Sequence, residues 1–162
     1  MARYILVLFA IVTWFASNAM AQEPPLPYGS PVDLATAKKL VAAAEEEANK
    51  NHWPVAIAIV DSGGHLVLFH RLDNTQLGSV EIAIAKAKTA VMYRRTTKSF
   101  EDRLAAGGAD LKLLKLPGLP LEGGLPIVHQ GKIIGGIGVS GVQSPQDAQI
   151  ATAGLKAISA RE

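Results

Sequence analysis

The chain contains no cysteine, which excludes disulfides, thiol nucleophiles and cysteine-ligated metals. Without a C-x-x-C-H motif, covalent haem attachment is excluded as well. The four histidines, His52, His65, His70 and His129, form no H-x-x-x-H or H-E-x-x-H pair. His65 and His70 stand an odd number of residues apart on an expected strand, so they point to opposite faces and cannot share one metal there. No metal site is expected. There is no G-x-S-x-G elbow, and Ser140, within Gly138-Val139-Ser140-Gly141, reads as strand interior rather than as a nucleophile. Basic residues are scattered apart from Arg94-Arg95, so nothing points to nucleic acid.

A long apolar run is also missing. Tyr4 to Ala16 is too short for a bilayer, which takes about 20 residues. Basic Met1-Ala2-Arg3 precedes it, and Ser17-Asn18 and the A-x-A of Ala19-Met20-Ala21 follow. That order is a secretory signal peptide, residues 1–21, with cleavage expected after Ala21 and a periplasmic or secreted product. An uncleaved anchor is the alternative; after cleavage no stable membrane span is expected. Removing these residues takes away a single charge, Arg3, so the formal charge falls from +2 to +1. Residues 22–32 carry Pro24, Pro25, Pro27 and Pro31 and read as an extended, proline-rich tether. Residues 33–162 then make one domain.

Within that domain Asp33 is placed to cap a helix from Leu34 to about Asn49, with Leu34, Ala37, Leu40, Val41, Ala44 and Ala48 on one stripe. Val55–Val60 and His65–Arg71 read as two strands joined by Asp61-Ser62-Gly63-Gly64, with Asp61 holding the turn backbone. Period two puts His65, Val67, Phe69 and Arg71 on one face and Leu66, Leu68 and His70 on the other. An alanine-rich helix is expected from Ser79, as cap, to about Arg94. A short helix opened by Ser99-Phe100-Glu101-Asp102 ends at Gly107-Gly108. Leu111–Pro126 reads as a loop able to border a site. Leu125–His129 and Lys132–Ser140 form a hairpin around Gln130-Gly131. Ser144-Pro145-Gln146-Asp147 opens the last helix, with Asp147 as capping partner.

Gly136-Ile137-Gly138-Val139-Ser140-Gly141 spells G-x-G-x-x-G. A dinucleotide site needs a further parallel strand with an acidic residue about 20 positions on, and no such strand follows in this sequence. The glycines at 135, 136 and 138 instead mark a closely packed helix, a bulge or a ligand against the backbone. Strand pairs separated by helices give an α+β fold: a two-layer arrangement with helices packed on an antiparallel sheet.

Several motifs, in order, resemble the GlcG/HbpS family, which includes the C-terminal domain of PduO proteins. They are Val60-Asp61-Ser62-Gly63-Gly64, Arg71-Leu72-Asp73, Ser79 with Lys86-Ala87-Lys88-Thr89-Ala90, Gly123-Gly124-Leu125-Pro126, the glycine run ending Gly138-Val139-Ser140-Gly141, and Gln146-Asp147. They cover about residues 33–160. One departure is Arg71-Leu72-Asp73-Asn74-Thr75, where many members read R-M-D-G-A. The resemblance implies a PAS- or profilin-like fold, a homo-oligomer and, in secreted members, haem binding.

It also places Arg71, Asp73, Lys86 and Thr89 in family motifs. The site it suggests lies between the second helix, the end of the second strand and the Leu111–Gly124 loop, with Arg71, Lys86, Thr89 and Glu122 at its edge. Arg71 and Lys86 would pair with haem propionates. The alternative for Arg71, Asp73 and Lys86 is an ion-pair lock between strand and helix. His65, His70, His129, Met92 and Tyr93 are chemically able to ligate haem iron, with His70 the first histidine to test. Two functions follow: an exported haem- or tetrapyrrole-binding protein, with or without slow haem breakdown, or a small-molecule-binding accessory oligomer without haem.

Overall fold

The computed structural model describes residues 24–159; the expected signal peptide lies outside them. The elements are α1 (Leu34–Lys50), β1 (Ala56–Asp61), β2 (Leu66–Arg71), α2 (Ser79–Tyr93), α3 (Lys98–Ala106), a 3-10 segment (Gly108–Lys115), β3 (Gly124–His129), β4 (Lys132–Ser140) and α4 (Ser144–Ser159). The strands form one antiparallel sheet in the order β2-β1-β4-β3. The α+β class and the antiparallel sheet carrying helices are as the sequence led us to expect. The helices occupy both faces, so the expected second layer is divided: α1 and α4 lie on one side and α2 on the other.

The alternation of β1 explains the division. Ile57 and Ile59 join Leu40, Val41, Ala44, Ile137 and Ile150 in the larger core beneath α1 and α4. Burying each of the leucine, isoleucine and valine side chains among these contributes about 1.5–3 kcal/mol. Ala56, Ala58 and Val60 point the other way, against Ala83, Ala87 and Val91 of α2. Ala58 lies opposite Gly138 and Val60 opposite Gly136, so this face is a shallow trough into which α2 settles. A Cβ on Gly138 would lie 2.1 Å from the Ala83 carbonyl oxygen, and one on Gly136 2.6 Å from that of Ala87. Two of the three readings of these glycines therefore hold: a helix is pressed on the strand, and a bulge lies at Ile134, between the pairs Ile127–Gly135 and Val128–Ile133.

Local signals fared unevenly. The Asp33 carboxylate accepts the Thr36 N–H at 2.6 Å as a helix cap. Gln130 and Gly131 both have positive φ, 48° and 70°, the geometry of a two-residue hairpin turn. Ser79, expected as a cap, is instead the first residue of α2 after Gly78, and no side chain caps that end. The capping box expected at Ser99 is absent, because α3 starts a residue earlier, after Thr97. The Leu111–Pro126 loop is partly ordered: it begins inside the 3-10 segment and ends inside β3. A bulge at Val67 also breaks the period of β2, since Ile59 faces Leu68 while Val60 faces Leu66. Val67 thus packs with Leu68 on the α1 side.

The proline-rich segment is extended but docked. Its Gly29 and Val32 N–H groups donate to Ile133 and Ile134 of β4, and the Ile133 N–H donates to Pro27. Tyr28 bridges Ile133 in parallel, continuing the line of β1 beyond Asp61. Val32 is buried in the larger core.

Candidate functional site

The six sequence-derived candidates separate into three places. Lys86 lies on the inward stripe of α2 with Ser79, Ala83, Ala87 and Ala90, and is only 2% exposed. Its ammonium donates to Asp147 of α4 at 2.8 Å and to the Val139 carbonyl at 3.0 Å. Gly123 crosses directly over it: a Cβ there would meet the Lys86 nitrogen at 2.9 Å. The G-G of the family motif is thus explained by close passage over a buried lysine. The Asp147 carboxylate also accepts the Val142 N–H at 3.2 Å. Burial pushes the Asp147 carboxyl above its usual value, and the hydrogen bond and charge of Lys86 oppose that push.

Thr89, one turn on, is buried as well. It donates to the Ala85 carbonyl at 2.7 Å and accepts the Leu119 N–H at 2.8 Å, fastening the loop to the helix. Glu122 is half-buried beside them; its N–H donates to the Glu101 carboxylate, and its own carboxylate lies 3.9 Å from the Lys98 ammonium. Lys86, Thr89 and Glu122 therefore share one corner, as anticipated. The corner offers a ligand no orphaned polar group, since no buried side-chain nitrogen or oxygen among the described residues lacks a partner, and the cavity beside Thr89 measures only about 10 Å³.

Arg71 and Asp73 do not join that corner. Both are exposed, and the lock anticipated with Lys86 does not form, because Asp147 already holds the lysine. Asp73 borders a polar depression with Asn49, His52, Trp53 and Asn74. Asn74 has φ 64°, the left-handed conformation that a glycine adopts freely and that asparagine tolerates. That accounts for the departure from the family's glycine there. His70 faces α1, its Nδ1 2.9 Å from the Glu45 carboxylate, on the sheet face opposite α2.

A more open arrangement lies beside α2, where sequence reasoning named only some of the lining. The β1–β2 turn, the last turns of α2 and the docked N-terminal segment enclose a cleft of about 530 Å³. Tyr28, Gly63, Gly64, His65, Lys88, Val91 and Met92 line it. The Tyr28 hydroxyl donates to the Val91 carbonyl at 2.9 Å, tying one wall to the helix. At the opposite wall Asp61 behaves as expected of a turn residue: its carboxylate accepts the Gly63 N–H at 2.8 Å and the His65 N–H at 2.9 Å. Partial burial works against ionisation of Asp61, yet these hydrogen bonds and the adjacent His65 ring hold its pKa below the usual value.

The donor set suits a tetrapyrrole: an imidazole and a thioether able to meet iron, an ammonium able to meet a propionate, and glycine backbone where a flat ring could approach. Two signals could have revealed this division beforehand. Lys86 falls on the apolar stripe of α2, whereas Lys88 lies about 200° further round the helix, and a lysine on an inward stripe requires a buried partner. Among the described residues no group of three or more His, Asp or Glu is placed to hold a metal ion, and no helix is long and apolar enough to cross a membrane.

Known proteins share this architecture. The chain is 42% identical over 104 residues to protein GlcG of Escherichia coli K12, an alignment spanning 64% of this chain and 77% of that one. A structure of PduOC in complex with heme is 32% identical, with TM-score 0.72, covering 79% of this chain and 95% of the other. A double mutant of HbpS from Streptomyces reticuli is 33% identical, with TM-score 0.73, covering 85% of this chain and 94% of the other. With residues 32–156 matching the family described as "Haem degrading protein HbpS-like", the chain belongs to the HbpS-like family.

Proposed function

We propose that the protein is an exported haem- or tetrapyrrole-binding module whose ligand enters the cleft between the β1–β2 turn and α2. One observation carries the reading: a cleft of about 530 Å³ brings His65, Met92 and Lys88 together in a fold shared with a protein crystallised with heme. The volume lies in the range of small-molecule sites. Lys88 takes the propionate role expected of Lys86, because its side chain is exposed while that of Lys86 is held by Asp147. Exposed Arg71 can serve a second carboxylate only at the far end of the molecule or across a subunit contact, in keeping with the homo-oligomer that the resemblance implies.

Titrating purified mature protein with haemin is the test. A saturable Soret band at stoichiometric haem supports the reading; absence of any band moves the protein to the class of accessory oligomers without haem. The same sample, followed in air with ascorbate, separates two outcomes. Bleaching with iron release supports slow haem breakdown, and a stable band supports binding alone. Intact mass of the exported protein tests the export proposal, with Gln22 expected as the first residue.

A further inference from the structure

We infer that the Nε2 atom of His65 would ligate haem iron in this cleft and that Asp61 is the residue that positions it. This rests on the haem reading and goes beyond it by assigning the iron contact.

The assignment begins with the turn. Asp61 closes β1, and one of its carboxylate oxygens, Oδ1, gathers the N–H groups of Gly63 and His65 at 2.8 and 2.9 Å. The backbone of His65 is thereby fixed, although the ring itself is 84% exposed. The same Oδ1 lies 3.4 Å from His65 Nδ1. With Nδ1 turned to the carboxylate, Nε2 is the ring nitrogen left for a ligand. A carboxylate behind the second nitrogen is what metal-bound histidines generally have: it sets the ring's orientation and makes the donor more basic.

Gly63 supports the arrangement from below. A Cβ there would lie 2.9 Å from His65 Nδ1 and 3.2 Å from the Asp61 carboxylate, so a side chain at this position would part the pair. The competing donors are placed less well. His70 has a carboxylate of its own, Glu45, at its Nδ1, but it lies on the opposite sheet face and does not line this cleft. His52 and His129 border other depressions. The Tyr28 hydroxyl is occupied by the Val91 carbonyl. Met92 lines the same cleft and would offer a thioether as a second donor to haem iron.

The experiment uses full-length mature protein loaded with haemin. His65→Ala should abolish the histidine-ligated ferric spectrum, and added imidazole should restore it. The substitution sits on an exposed ring, so folding should not change. Asp61→Asn keeps an oxygen for the two turn amides but removes the charge. It should weaken ferric haem binding about tenfold or more and raise the reduction potential, because the ferric state loses a stabilising anion. Gly63→Ala, which leaves the carboxylate in place and displaces the ring, should move the potential in the same direction.

A His65→Ala protein with the wild-type Soret and electron paramagnetic resonance signatures overturns the ligand assignment. Wild-type affinity and potential in both Asp61→Asn and Gly63→Ala overturn the positioning role and leave Asp61 as a turn residue. Failure of the wild type to bind haemin is a different result and removes the underlying haem reading.

Discussion

Lys86 and Lys88 stand two residues apart on one helix and meet opposite fates. Lys86 is 2% exposed and bridges α2, β4 and α4 through Val139 and Asp147. Lys88 is exposed on the wall of an open cleft. The same side chain is thus a structural tie in one place and a free charge in the other, and helix rotation alone decides which. A family motif containing both cannot, by itself, say which lysine meets a ligand.

The sharpest way to break the contrast is Lys86→Met, which leaves the Asp147 carboxylate buried without its cation. Removing one partner of a buried pair costs about 3–5 kcal/mol, and urea unfolding should show a loss of that size. Adding Asp147→Leu should recover much of it, since the cost arises from the orphaned charge rather than the missing attraction. The deficit relative to wild type should also depend on pH. Burial already raises the Asp147 carboxyl, and without Lys86 only the backbone hydrogen bonds from Val142 and Gly141 oppose that rise. The native variant then binds a proton more tightly than its unfolded chain. Its deficit should shrink as pH falls through the raised value toward the ordinary aspartate range, and be greatest above it.

Gly138→Ala probes the trough beneath α2 and should cost about 1–3 kcal/mol by overpacking, read from the shift in thermal midpoint. A variant of wild-type stability would mean that α2 can lift from the sheet. Next comes Thr89→Val, which leaves the Leu119 N–H without its acceptor. A loss of about 1–2 kcal/mol is expected, with faster amide exchange at Leu119 as the local readout. Smallest in stability is Lys88→Ala, expected within about 0.5 kcal/mol of wild type. Its haem affinity should nonetheless fall about tenfold, the value of one charge-assisted hydrogen bond. Equal haem affinity in Lys88→Ala and wild type would detach Lys88 from the site.

The order of helices and strands was legible because each element announces itself locally: the alanine stripe of α1, the apolar run of β1, Gln130-Gly131 between β3 and β4. Helix starts were less so. Thr97 and Gly78 precede helices without a capping side-chain hydrogen bond, while Ser79 and Ser99 carry the chemistry of a cap one or two residues too late. The candidate site was legible as a corner but not in its state. Lys86, Thr89 and Glu122 do converge, yet their fate depends on Asp147, which is 61 residues from Lys86 in sequence. Asp147 is not the capping-box partner expected with Ser144: α4 already includes Ser144, and Gln146 accepts the Gln143 N–H in that role, while Asp147 holds Lys86. His70 was the first histidine to test on sequence alone; the fold instead turns it toward Glu45 on the α1 side and leaves His65, beside Asp61, on the cleft.

The N-terminal arm has a consequence for how the molecule matures. Tyr28 both bridges β4 and walls the cleft, with its hydroxyl fixed to the end of α2. The boundary of the working protein therefore lies upstream of the domain that sequence motifs delimit. A protease or an expression design that trims the chain to residue 33 would remove a wall of the ligand cleft and the buried Val32 together. The result would be an exposed length of β4, open to pairing with another chain.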